Sequence, residues 1–315
     1  MLIEDAYLIN ILGVDVYAWG LHAALGAAFA LAVLAVLWKK QKQPAGGAAA
    51  TWLCMLVCGF VLSRLLFVLF DGSMRSSVTL EGAVYVQGGG YSMFGALIGA
   101  YLGAWIAARC MKISARAMLD RVTAALLIFV VFARLGERFT DIGISRPLVN
   151  APEGFGPFVT VGEYDSYIST YLLESILAVI IFIVCLWDLC KKRREGFTAL
   201  LGWLLFGASQ TVLESLRFDQ HMKFSFVGVQ QVLAMVLLIA VTVLLGVLAV
   251  KKGRGKKLLT GACIYLVCLM GAVVGLEFLI DRSGLSRLML YSVYVLLMTV
   301  PCVMGMRLRY LAERE

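Results

Sequence analysis

Among the ionisable residues within apolar runs or at their outer ends are Arg64, Arg134, Glu137, Arg138, Glu174, Glu214, Arg217 and Glu277. A charge at the centre of a bilayer costs at least about 2.5–3.5 kcal/mol, so such residues turn inward and pair. Glu214 and Arg217 are three apart and share a helix face. Arginine grips phosphate through two parallel hydrogen bonds. A carboxylate beside it can accept a proton or orient the guanidinium. Arginines and carboxylates mixed at headgroup depth therefore suit a phospholipid. The alternative, a set of ion pairs that only holds helices together, stays open. A second feature is GGGYSMFGALIG, residues 88–99. It opens an apolar helix with glycines, which let backbone approach a ligand closely. Gly89, Gly90, Ser92 and Gly95 are candidates for the wall of that site.

The elements that must position these residues are membrane helices. The chain is 61% hydrophobic and 15% charged, with a mean hydropathy of +0.89. A soluble chain is nearer 45–50% apolar and 25% charged. Runs of about 20 apolar residues match a hydrocarbon core ~30 Å thick. Nine such runs are present, near 15–38, 49–70, 91–110, 118–135, 167–190, 198–216, 226–250, 259–280 and 287–306. The fourth and sixth are short and carry charge at one end. The fold class expected is an all-α polytopic membrane protein.

Positive charge orients the bundle. Nineteen of the 28 Lys and Arg residues fall in loops and tails on one side, in KKQK, the stretch 109–121, KKRR, KKGRGKK and the C-terminal RLRYLAERE. Seven fall on the other side, and Arg64 and Arg134 sit within helices. The N-terminus is therefore placed outside and the C-terminus inside. On this topology Arg64, Arg134, Glu174, Glu214, Arg217 and the 88–99 stretch all converge on the outer leaflet. Two long outer segments, 71–90 and 135–166, lie above them. The second contains PLVNAPEGFGPF, whose Pro and Gly stop regular helix. The acidic start MLIEDAY, with no small-residue cleavage site after the first run, predicts that this run stays as a helix.

Net charge of +8 would suggest nucleic acid in a soluble protein, but here the basic residues lie in short loops and set topology. The eight cysteines read as small membrane-helix residues, with no paired loop spacing and no metal motif. His22, in the first helix, and His221, in an outer loop, read as packing or surface residues. A small-solute transporter is disfavoured, since no internal repeat or polar midplane track is visible.

Seven segments in order resemble the prolipoprotein diacylglyceryl transferase family over about residues 10–245: YAWGLHAALG, SRLLFVLFDG, GGGYSMFGALIG, ARLGERFTDI, STYLLES, QTVLESLRFD and SFVGVQQVLAM. The resemblance implies a bacterial inner-membrane enzyme with no cofactor. It would move a diacylglyceryl group from phosphatidylglycerol, or another anionic phospholipid, to the lipobox cysteine of a preprolipoprotein signal peptide, releasing glycerol phosphate. It retains Arg64, Arg134, Gly136, Glu174, Glu214, Arg217 and Asp219. It departs at Phe94, where the family has histidine, and at Glu137, Thr140, Ile142, Tyr171, Leu173 and Gln210. Arg134 and Arg217 would hold phosphate, Glu214 would orient Arg217, and Glu137 or Glu174 would be the base. Arg64, Gly136 and Asp219 would join the glycines in substrate binding. Residues 1–250 form the transferase-like unit, and 251–315 add two helices and a cytoplasmic tail. A non-catalytic lipid- or lipoprotein-binding paralogue is the competing reading.

Overall fold

The structure is a computed structural model that describes residues 7–11, 14–41, 46–71, 89–140, 142–148, 156–162, 165–191, 193–219, 222–224 and 227–314. Among these residues nine α-helices form: α1 Ala18–Lys40, α2 Gly47–Phe70, α3 Met93–Cys110, α4 Ala115–Gly136, α5 Thr170–Cys190, α6 Phe197–Leu216, α7 Val229–Lys251, α8 Lys256–Arg282 and α9 Arg287–Glu313. Each apolar run folds as one helix. Three start later than expected because hydropathy does not distinguish an apolar strand from a helix. Val14–Tyr17 pairs with Tyr7–Ile11 as a hairpin, β1–β2. Ser166–Ser169 is β5, the middle strand of a small sheet with β3 (Ile144–Pro147) and β4 (Val159–Val161). Lys223–Phe224 (β6) pairs with Val227–Gly228 (β7) ahead of α7. All these strands lie at the outer ends of the helices, so the described parts of the outer loops form a cap there.

Eight helices are long and apolar enough to cross a membrane. The chain is a multi-pass membrane protein. The remaining helix, α4, carries Arg116, Asp120, Arg121 and Arg134, yet 14 of its residues are buried. It packs against α1, α3, α5 and α6. Protein, not lipid, therefore surrounds α4, which removes the penalty that its charges would meet in hydrocarbon. α8 and α9 dock on α7, and α9 also reaches α6.

The tightest helix pair is α2 with α3, and glycine makes it possible. Gly95, Gly99 and Gly103 are four apart on one face of α3. A Cβ at these positions would fall 2.5 Å from Leu62 O, 2.2 Å from Cys58 O and 2.3 Å from Cys54 O. Small residues at this spacing let two membrane helices meet backbone to backbone. Gly95, expected at a ligand wall, thus owes its identity to the approach of α2.

Gly99→Ala should lower the thermal unfolding temperature of the detergent-solubilised protein, since over-packing costs typically about 1–3 kcal/mol. Gly271→Ala, in α8 with nothing within 4 Å of its added Cβ, should leave it unchanged or raise it. Equal responses would contradict the packing role.

Candidate active site: a buried arginine–glutamate cluster

Three helices end at the same point. α4 closes with Arg134 in its last turn, and the chain turns through a short 3-10 segment, Glu137–Phe139. Glu174 lies near the start of α5, and Glu214 in the last turn of α6 with Arg217 one residue beyond. Arg134 meets Glu137 at 2.7 Å, Glu174 at 2.5 Å and Glu214 at 3.0 Å. Arg217 meets Glu137 at 3.1 Å, Glu174 at 3.2 Å, Glu214 at 3.9 Å and Asp219 at 2.9 Å. Each of the three glutamates touches both arginines. Arg134 is 1% exposed and Glu174 fully buried. Four carboxylates face two guanidinium groups, a formal surplus of two negative charges. Desolvating such groups costs several kcal/mol each, and only mutual pairing with good geometry offsets it.

The outer cap completes the cluster. Gly143, at φ +78°, donates its N–H to Asp219 Oδ2 at 3.0 Å, and a Cβ there would lie 2.6 Å from Glu137 Oε2. Only glycine fits this left-handed position so near the carboxylate. Lys223 and Arg146 both lie over the ring of Phe218, at 5.0 and 4.5 Å. Arg146 also pairs with Asp281 of α8. Burial holds the Lys223 ammonium below its ordinary pKa, while Asp219 pulls it back up. Gly143, Arg146 and Lys223 were not singled out by sequence reasoning. A loop glycine and two outer-loop cations give no signal until the cap is folded.

A second set gathers at the outer ends of α2 and α3. Arg64 donates to the carbonyls of Gly89 and, at 2.9 Å, Gly90. Ser92 caps α3 by accepting from Gly95 N–H at 3.1 Å, and Ser63 Oγ donates to its carbonyl at 2.9 Å. Helix α1 joins the two sets. Trp19 stacks on Tyr91 with ring centroids 6.1 Å apart, and Trp19 and His22 abut Gly136. His22 packs 5.1 Å from the Phe139 ring, beside the turn that carries Glu137, and its Nδ1 lies 2.8 Å from Ala18 O, in keeping with a packing residue. His221 lies outside the described residues. Phe94 is buried in the apolar core, 6.1 Å from Phe206. Glu277 joins neither set; with Gln231 and Tyr294 it forms a separate buried knot between α7, α8 and α9. Arg138 is exposed.

The order of these site-bearing segments along α1 to α7 has a direct parallel. The family model for prolipoprotein diacylglyceryl transferase matches residues 6–247. The chain belongs to that family. Relatives named phosphatidylglycerol–prolipoprotein diacylglyceryl transferase share modest identity with it. The Thermotoga maritima protein is 28% identical over 199 residues, 61% of this chain and 65% of the relative. The alignment thus spans just under two thirds of that relative's length. The Listeria innocua protein is 28% identical over 245 residues, 75% of this chain and 86% of its own. The Clostridium tetani protein is 20% identical over 258 residues, 79% and 98%. The family match ends within α7, so α8 and α9 lie beyond it.

Removing Arg134 leaves Glu174 buried beside a single guanidinium. Arg134→Ala should therefore destabilise the protein by about 3–5 kcal/mol, as for other broken buried pairs. Urea unfolding in detergent tests this; a loss below about 1 kcal/mol would mean that the cluster is not what joins α4, α5 and α6.

Proposed function

We propose that this chain transfers a diacylglyceryl group from phosphatidylglycerol, or a related anionic phospholipid, to the lipobox cysteine thiol of a prolipoprotein. It would do so in the outer leaflet of a bacterial inner membrane. The observation that carries the reading is the buried cluster of Arg134 and Arg217 with Glu137, Glu174 and Glu214, set in a family-matched chain. In the reaction the thiol loses its proton, a carbon–sulfur bond forms at the glycerol carbon, and the carbon–oxygen bond to phosphate breaks. Glycerol phosphate leaves with the bonding pair.

The residues divide this work. Glu137 is the favoured base: it is tied to both arginines, lies in the turn beside His22, and borders the cap. Glu174 is the alternative. Phe94 cannot move a proton, so this chain needs a base other than the one at the family's histidine position. Phosphate would first meet Lys223 and Arg146 at the cap and then the arginines beneath. As charge develops on the leaving phosphate, Arg134 and Arg217 can turn from carboxylate to phosphate oxygen, an interaction strongest in the transition state. The amide oxygen of Gln210 and the Ser215 hydroxyl are buried with no partner among the described residues, which suits polar headgroup atoms. Arg64, Gly89 and Gly90 would border the same outer surface. Residues 1–250 would form the catalytic unit and 251–315 an added hairpin.

The test follows glycerol phosphate release by purified protein given phosphatidylglycerol and a lipobox peptide. Wild type should release it, and Glu137→Gln should lower kcat by about 10²–10⁴-fold with lipid binding retained. Full activity in that variant would move the base to Glu174. Lipid binding without release by wild type would overturn the transferase reading in favour of a lipid-binding paralogue. Lys223→Gln should raise KM for the lipid several-fold with kcat little changed, as expected for a residue that contributes uniform binding.

A further inference from the structure

We propose that the inner face of the protein carries a second, separate phosphate-binding site, between the inner ends of α3 and α4. Its ligand would be a phosphate borne by an inner-leaflet anionic phospholipid or by a soluble phosphomonoester. A cavity of about 530 Å³ lies there, lined by Arg109, Lys112, Arg116, Ser114 and Glu195, with the apolar side chains of the α3–α4 connection. Three cations face one carboxylate, and that carboxylate is engaged by the Ser114 hydroxyl. Ser114 is also the N-cap of α4, accepting from Ala117 N–H at 3.4 Å. Ala115 and Arg116 of the first turn also line the cavity, so the positive end of this 22-residue helix borders it.

A further charge lies deeper. Arg121, on the same helix, is 2% exposed, and its Nε and Nη1 have no hydrogen-bond partner among the described residues. Its guanidinium rests over Trp38 at 5.3 Å, and Glu195 and Asp120 are the carboxylates whose charge reaches it. With Arg121 and Asp120 counted, four cations stand against two carboxylates around the cavity, which leaves it net positive. The outer cluster is the converse: there carboxylates outnumber arginines. The inner site also borders lipid. Arg109 lies 5.1 Å from the ring of Trp105, which is 44% exposed on the outer surface of α3 alongside Ile106 and Leu102. A tryptophan at this level marks the headgroup boundary. Basic pockets between helices at that boundary on the cytoplasmic side bind anionic headgroups. The lining has the right charge, depth and size for one phosphate headgroup.

The experiment uses full-length protein in nanodiscs with a photoactivatable phosphatidic acid, its phosphatidylcholine counterpart as comparison, and mass-spectrometric mapping of the adduct. Phosphatidic acid should label residues 105–121 several-fold more than phosphatidylcholine. The triple variant Arg109→Gln, Lys112→Gln, Arg116→Gln should cut that labelling on the order of a hundredfold, since each such cation contributes about 1 kcal/mol and each 1.4 kcal/mol is tenfold. Glu195→Gln removes the site's carboxylate while keeping an acceptor for Ser114, and should raise labelling. This gain guards against a triple variant that merely misfolds. Displacement by micromolar glycerol 3-phosphate would identify a soluble phosphate as the occupant; persistence would identify lipid. Equal labelling by the two lipids, or labelling unchanged in both variants, would overturn the proposal.

Discussion

Arg134 sits almost wholly buried at the outer end of α4, and much of the architecture answers to its charge. A guanidinium in that position must be surrounded by acceptors. Glu137 comes from the turn that follows, Glu174 from α5 and Glu214 from α6. Satisfying one cation therefore fixes the mutual height and rotation of three helices. Arg217 then ties the same glutamates to the outer cap through Asp219 and Gly143. The cap holds its strands at the helix ends because their backbone bonds run to those ends: Tyr171 N–H to Gly143 O and Phe218 N–H to Ile144 O.

The same cluster that stabilises the bundle is suited to chemistry, and the two roles are compatible. On the proposed function, the carboxylate surplus would supply a proton acceptor, and the arginines would supply charge for a leaving phosphate. Because the guanidinium groups are already paired, binding phosphate means exchanging one anionic partner for another. That exchange favours a state in which negative charge is growing over one in which it is already full. The Phe94 side chain is buried in the apolar core, 6.1 Å from Phe206, and adds only packing there. On the proposed function, proton transfer would fall to the glutamates one layer outward.

The hairpin α8–α9 extends the bundle beyond the family-matched region without disturbing this plan. Its anchors lie at both ends: Gln231, Glu277 and Tyr294 toward the outer side, and Arg309 on Asp188 at 2.5 Å toward the inner side. Arg146 reaches from the cap to Asp281, so the hairpin also braces the outer cap. Each anchor is a buried or half-buried polar contact, which sets orientation in a membrane where apolar surfaces alone give little preference.

Hydropathy and loop charge were enough to place nine helices and the multi-pass class, the seven motif segments gave the family, and charge within apolar runs gathered Arg134, Glu137, Glu174, Glu214 and Arg217 in a wider set with Arg64, Arg138 and Glu277. These are local properties, and the bilayer's thickness and its penalty on charge convert them into topology. Which atoms meet was not local. The pattern could not say that each glutamate is shared between both arginines, because that depends on the rotation of α5 and α6. It could not separate Gly95, held against the α2 backbone, from Gly89 and Gly90, held by Arg64, since all three occur in one glycine-rich stretch. Nor could it bring His22 beside Phe139, or set Gly143 against Glu137, because these contacts join residues far apart in the chain or across an irregular turn. Tertiary packing decided them, since only in the folded bundle does each buried charge find the partners that make its burial tolerable.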